Sequence, residues 1–141
     1  MDAQGIARKA IEKMLAGDGA SRGLGMVLED VGAGFAKVSM VVRDDMVNGH
    51  KSAHGGMIFS LADTAFACAC NSHNIMNVAS TCQINFVRPV MLGDTLTAVA
   101  KEQNLGKRTG LYDVEVCNCE GKIIAFFRGQ SMSLNRPVFE D

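Results

Sequence analysis

Asp63 is the only Asp, Glu, Lys or Arg between Ser52 and Val87, in a stretch that begins HGGMIFSLADTAFACAC at His54. Burying an ionised carboxylate without a partner costs several kcal/mol, and no local cation offsets it. Two readings are open. Asp63 stands at a wet edge or bonds the backbone of another element, or it performs chemistry. The start of the segment favours chemistry. His54-Gly55-Gly56 brings uncovered backbone N–H groups to a helix N-terminus, where the first donors lack intrahelical acceptors and the dipole is positive. Such groups hold an oxyanion, although tight packing of the helix start would explain two glycines equally well. Together, donors for a carbonyl oxygen and a carboxylate that attacks or activates water amount to acyl transfer.

Geometry adds a constraint. Gly55 and Asp63 are eight residues apart, about 12 Å along one helix, and the backward tilt of the side chain recovers only part of that. Both groups must reach one carbon. The spacing therefore predicts two antiparallel copies of the helix side by side, Gly55 of one chain facing Asp63 of the other, in an obligate dimer with two shared sites.

The elements that must position these groups follow from periodicity. Residues 1–17 carry a short amphipathic helix with Ile6, Ala10, Ile11, Met14 and Leu15 near one side. After the breaker Gly17 to Ala20 come two strands, Leu24 to Val31 and Phe35 to Val42, and then a polar loop with an Asn48-Gly49 turn. A central helix from about Gly56 to Asn71 is apolar or small on every side, so protein encloses it. Strands follow at Val78 to Val87, Thr95 to Gln103, Thr109 to Asn118 and Lys122 to Ser133, where the alternation of Tyr112, Val114 and Val116 with Asp113 and Glu115 indicates an antiparallel meander. The expected class is α+β, one domain over residues 1–141, with an antiparallel sheet wrapped around a single helix.

Composition narrows the function. A net charge of -1, from 14 basic and 15 acidic residues, gives no general attraction for nucleic acid or an anionic membrane. The run Ser52 to Val87 is too broken to span a bilayer, and no secretory signal precedes it. Five cysteines are then read as reduced thiols in a cytoplasmic protein. Cys68, Cys70, Cys117 and Cys119 lack zinc spacing, and His73 beside Cys70 does not complete a site, so no metal is expected.

The pattern N-G-H-x-x-x-H-G-G-x-x-x-x-L-A-D-x-A from Asn48 to Ala65 is followed by INFVRPVMLGDTLTA (Ile84 to Ala98) and GKRTGLYDVEV (Gly106 to Val116). With these motifs the chain resembles the hotdog-fold acyl-CoA thioesterases, most closely those of the phenylacetic acid degradation (PaaI) type. The resemblance implies a hotdog fold assembled as a homodimer and then a homotetramer. It implies that Asp63 is the catalytic carboxylate, as nucleophile or general base. Gly55 polarises the thioester carbonyl, Asn48 orients water or carboxylate, and His54 stands beside the oxyanion site. For His54 a capping role, and for Asn48 a plain turn role, remain open. A hydroxyl found in some relatives falls on Ala79 here, with Ser80 or Thr81 as doubtful substitutes.

The implied substrate is an aryl-acetyl thioester of coenzyme A, phenylacetyl or hydroxyphenylacetyl, with no cofactor beyond the CoA of the substrate. Lys107 and Arg108, then Arg88, are the candidate phosphate contacts, with Gly56 and Thr109 completing the substrate-binding set. Met57, Phe59 and Phe66 are candidate linings of the acyl pocket. The rivals are a hotdog thioesterase for other aromatic or medium-chain acyl groups, a non-catalytic acyl-CoA-binding module, and a hotdog dehydratase, whose Asp–His pair has a different spacing.

Overall fold

The computed structural model describes residues 1–140. In chain order it has helices α1 (Ala3–Ala16) and α2 (Gly19–Gly23), strands β1 (Val27–Gly32) and β2 (Phe35–Val41), a 3-10 turn at Asp44–Met46, and helix α3 (Gly55–Asn71). Strands β3 (Asn77–Phe86), β4 (Thr95–Leu105), β5 (Thr109–Cys117) and β6 (Ile123–Ser133) follow. The strands form one antiparallel sheet in the order β1-β2-β4-β5-β6-β3. Its concave face packs on α3, which touches every strand.

The N-terminal helix buries Ala7, Ala10 and Ile11 and is capped by Asp2, whose carboxylate accepts the Gly5 N–H at 2.8 Å. An Asp at the N-cap fills one orphan donor of the first turn. The expected breaker at Gly17 to Ala20 is instead a second, one-turn helix. Asp18 caps it by accepting the Ser21 N–H at 2.9 Å, so β1 starts at Val27 rather than Leu24.

Strands β4, β5 and β6 form the expected meander, but β3 does not join it in sequence order. It pairs with β6, and β4 pairs with β2, because the segment 87–94 carries the chain across the sheet. Alternation specifies which face a residue takes, not which strand lies beside it. The result is that β3 is a sheet edge.

The central helix is not enclosed on every side. Leu61, Ala62, Ala65, Phe66, Cys68 and Ala69 are buried under the sheet, whereas Gly56, Ser60, Asp63 and Ala67 stay partly open. Their spacing of four, three and four residues puts them on one stripe. Small residues along it let another element approach closely, which accounts for a helix without a conventional polar face.

Phe66 packs on Tyr112 and Phe127 at ring-centroid distances of 5.7 Å each, and Gly129 makes room for it. A Cβ at Gly129 would lie 2.8 Å from Phe66 Cε1, and the ring is 1% exposed with nowhere to go. Gly129→Ala is expected to destabilise the fold by about 1–3 kcal/mol through overpacking, read as a lower midpoint in denaturant unfolding. Wild-type stability in that variant would mean that the core has slack at this point.

Candidate active site

The start of α3 is held by backbone ties on both sides. Ala53 N–H donates to the Val90 carbonyl at 2.8 Å and His54 N–H to the Met46 carbonyl at 2.9 Å. His54 is the N-cap with extended backbone, φ -60 and ψ 139, and its carbonyl accepts from Met57 at 3.0 Å and Ile58 at 3.3 Å. Gly55 and Gly56 N–H are then the first two donors of the helix, without intrahelical acceptors. The His54 side chain makes no capping hydrogen bond and is exposed.

Beside Gly55 lies a cleft of about 450 Å³ walled by Ser52, Ile58, Phe86, Arg88 and Val90. A Cβ at Gly55 would sit 3.0 Å from the Phe86 ring, while one at Gly56 would meet nothing within 4 Å. Glycine at Gly55 thus lets the ring of the edge strand approach the donor pair. Phe86 was not among the expected site residues, because contact between β3 and the helix start depends on strand order.

Asn48 serves the loop. Its Oδ1 accepts from the His50 N–H at 2.9 Å and the Ser52 N–H at 3.2 Å, an Asx-type brace. The Nδ2 group has no partner among the described residues and stays available as a donor.

Asp63 lies two turns along α3 from the glycines, on the open stripe. Among the described residues its carboxylate has no hydrogen bond and no ion pair, so it does not cap or brace another element. Burial pushes its pKa above the ordinary carboxylate value, and the negative charge of Asp18 adds to the rise. A half-buried carboxylate held in a less acidic state and left without a partner is suited to proton transfer or attack.

The proposed CoA contacts do not meet in one chain. Arg88 is beside Gly55, with Nη1 donating to the Ile123 carbonyl at 2.8 Å. Lys107 and Arg108 lie in the exposed β4–β5 turn and Thr109 opens β5, and the Arg108 carbonyl accepts from Ser133 N–H at 2.7 Å. Ser133 pairs with Asn77 at the start of β3, and Phe86 ends the same strand, ten residues in all. That separation is about 30 Å.

One further expectation is corrected. Phe66 is a core side chain between Tyr112 and Phe127, not a pocket lining; Met57 and Phe59 remain partly open. Thr81 pairs with Gln130 on the outer face of the sheet, and Ser80, at a bulge, accepts from Gln130 Nε2 at 3.5 Å. Both are turned away from α3, whereas Ala79, opposite buried Ser131, faces it.

The thiols are quiet. All five cysteines are free, and burial pushes Cys68 and Cys70 up to about 12. His73 is paired with Glu102 at 2.8 Å rather than with Cys70, and no cluster of three metal-ligating side chains occurs among the described residues. No helix among them is long and apolar enough to cross a membrane.

Comparison with known proteins places this geometry. The family model described as Thioesterase superfamily matches residues 50–125. The acyl-coenzyme A thioesterase PaaI of Escherichia coli K12 is 51% identical over 125 residues, 89% of this chain and 89% of that protein. The solved structure of the E. coli PaaI protein from the phenylacetic acid degradation operon superposes with a TM-score of 0.95 at 45% identity, covering 96% of this chain and 99% of the other. A Streptococcus mutans protein solved with acetyl CoA superposes at 0.77 and 26% identity, over 79% of this chain and 90% of its own. The chain belongs to the thioesterase superfamily and has its hotdog fold, a central helix wrapped by a six-stranded antiparallel sheet.

Proposed function

We propose that the protein hydrolyses aryl-acetyl thioesters of coenzyme A, phenylacetyl-CoA and its hydroxylated forms, to the free acid and CoA, as a step of phenylacetate degradation in the cytoplasm. It is an acyl-CoA thioesterase and requires no metal. The observation that carries this reading is Asp63: half-buried, unpartnered, raised in pKa, and set on the open stripe of a helix that begins with two unbonded glycine N–H groups. The similarity to the E. coli PaaI protein from the phenylacetic acid degradation operon supports the aryl-acetyl class, and the acetyl CoA bound to the S. mutans relative supports the CoA moiety.

The site is completed by a second copy of the chain. The free edge of β3 and the stripe of α3 lie side by side, and antiparallel pairing of both across a two-fold axis continues the sheet and juxtaposes the helices. That operation carries the far end of the partner's β3 to the near end of this one. It brings the partner's Asp63 toward Gly55, and the partner's turn 107–109 toward Arg88. Two such dimers form a homotetramer.

In this arrangement the thioester carbonyl oxygen lies on the Gly55 N–H, with Gly56 alongside, and the helix dipole stabilises the charge that develops on it. Asp63 attacks the carbonyl carbon to give a mixed anhydride that water then opens, or it takes a proton from water that attacks instead. Either way the C–S bond breaks and CoA leaves as a thiolate. Asn48 Nδ2 and His54 flank the oxygen. Single turnover in oxygen-18 water with trapping of any acyl-enzyme separates the routes: label inside Asp63 marks an anhydride opened at the Asp63 carbonyl, a trapped acyl-enzyme marks one opened at the acyl carbon, and label in the product acid with nothing trapped marks activated water.

Removing the turn charges tests the phosphate contacts. Lys107→Ala/Arg108→Ala is expected to raise KM for the CoA thioester about tenfold with a smaller change in kcat, and to leave hydrolysis of the corresponding pantetheine thioester unaffected. Equal losses on both substrates would place the turn outside the nucleotide site. The substrate assignment is tested by free-thiol release from phenylacetyl-CoA, its ring-hydroxylated forms, benzoyl-CoA and medium-chain acyl-CoA. Highest kcat/KM is expected for the aryl-acetyl group. Binding of all of these without thiol release would overturn the enzyme reading in favour of an acyl-CoA-binding module.

A further inference from the structure

The segment between α1 and β1 carries a hydrogen-bonded chain that ends on the helix turn bearing Asp63. Asp18 accepts the Ser21 N–H on Oδ1 at 2.9 Å and the Ser21 hydroxyl on Oδ2 at 2.6 Å. Ser21 Oγ lies 3.0 Å from Thr64 Oγ1. A carboxylate can only accept here, so the one hydroxyl proton of Ser21 is committed to Asp18 and Ser21 Oγ must accept from Thr64. The chain therefore has a fixed sense, Thr64 to Ser21 to Asp18. Ser21 is 5% exposed, which shields its bonds from competing water. Thr64 adjoins Asp63 on α3, so the chain ties α2 to that turn. We propose that Asp18 is a positioning residue for the hydrolysis, which acts through Ser21 and Thr64 to fix the α3 turn that carries Asp63 and whose charge reaches that carboxylate.

A capping role alone would require only the Ser21 N–H. The second oxygen, spent on a buried hydroxyl that reaches the next element, is what a plain cap does not need. The electrostatics agree. Burial opposes ionisation of Asp18, but the Ser21 and Ala20 bonds and nearby Arg22 outweigh it and hold Asp18 below its ordinary value. Asp18 is thus the charged member of the pair, and Asp63 is the one whose ionisation is resisted, by burial first and then by Asp18. Other groups around Asp63 do not reproduce this. Cys70 on α3 and Cys82 on β3 feel Asp63, but both are raised and stay neutral thiols. Arg8 and Glu12 on α1, with Arg22 on α2, line the cleft that Thr64 shares and are of mixed sign. A less acidic carboxylate is a stronger base and nucleophile once ionised, so the charge favours reactivity at a site that operates near neutral pH.

The inference rests on Asp63 being the reactive group, and the experiment separates the two. Asp18→Asn keeps an N-cap oxygen for the Ser21 N–H but removes the charge and replaces the oxygen that accepts from the Ser21 hydroxyl with an amide donor. In Asp18→Asn the acid limb of the kcat/KM profile for phenylacetyl-CoA should move to lower pH. The Asp63 carboxyl titration, followed by infrared difference spectra with the band assigned by its loss in Asp63→Asn, should move the same way. Both shifts should shrink in high salt. A purely structural Asp18 would lower activity at all pH values and leave limb and band in place, and an Asp18 without influence would leave activity, limb and band all unchanged; either result overturns the proposal. Asp18→Ala, which loses cap and charge together, checks that the shift follows charge even where the midpoint of unfolding falls. If Asp63→Asn still released thiol at the wild-type rate, the reading of Asp63 itself would fail, and the role of Asp18 with it.

Discussion

Asp63→Asn is expected to lower kcat for phenylacetyl-CoA by about a hundredfold to ten-thousandfold, the range in which a positioned acid–base group operates, while the dimer and its affinity for CoA persist. The amide occupies the same volume but neither attacks the thioester nor accepts a proton from water. Stability should move the other way. The folded-state pKa of Asp63 lies above its ordinary value of 3.8, so the folded protein holds this proton more tightly than the unfolded chain. The sign follows from linkage: that contribution is present at acid pH and is lost as pH rises through the folded value, which leaves a net cost at neutral pH. Asn cannot ionise and escapes the cost. At neutral pH the variant should unfold at a temperature equal to or above that of wild type, with the gap closing towards acid pH. Loss of activity together with loss of fold would instead assign Asp63 a structural role.

The second large effect is expected at Gly55, where backbone chemistry can be removed without a side chain being lost. Proline is compatible with the first position of a helix because its missing N–H has no intrahelical acceptor there. The preceding residue must be extended, and His54 is, at φ -60 and ψ 139. Gly55→Pro therefore deletes the proposed oxyanion donor and keeps α3. The expected loss is about a hundredfold to a thousandfold in kcat, the effect of removing one such donor. Gly55→Ala is the control, since it adds a Cβ 3.0 Å from the exposed Phe86 ring but retains the N–H. Steady-state kinetics on both variants should give a severe defect for proline and a mild one for alanine. Equal defects would show that crowding at Phe86, not the donor, limits turnover.

Much of this site was legible from residue order because its central parts are local. Gly55, Gly56 and Asp63 share one helix, and their spacing alone implied that they could not serve one carbon within one chain. The structure places Arg88 and the turn 107–109 near opposite ends of β3. The alternating strand β5 was equally readable, with Tyr112, Val114 and Val116 buried and Glu115 outside.

What escaped depends on contacts between elements distant in sequence. Pairing of β3 with β6 leaves no trace in alternation, and with it went the approach of Phe86 to Gly55. Phe66 has the same chemical character as a pocket-lining residue, and only the space left by Gly129 consigns it to the core. Asp18 stood in a glycine-rich stretch that reads as a breaker, although Asp is also a preferred N-cap residue. The onward contact from Ser21 to Thr64 could not be foreseen, since those two residues are 43 positions apart.

The central claim is that each active site takes Gly55 from one chain and Asp63 from the other. The most direct measurement is thiol release from phenylacetyl-CoA by Asp63→Asn and Gly55→Pro chains co-expressed in equal amounts, against each variant alone. Random pairing puts half the molecules in mixed dimers, in which one site holds both defects and the other neither, so activity should recover to about a quarter of wild type. If each site belonged to a single chain, every site in a mixed dimer would carry one defect, and the mixture would remain as inactive as its parts.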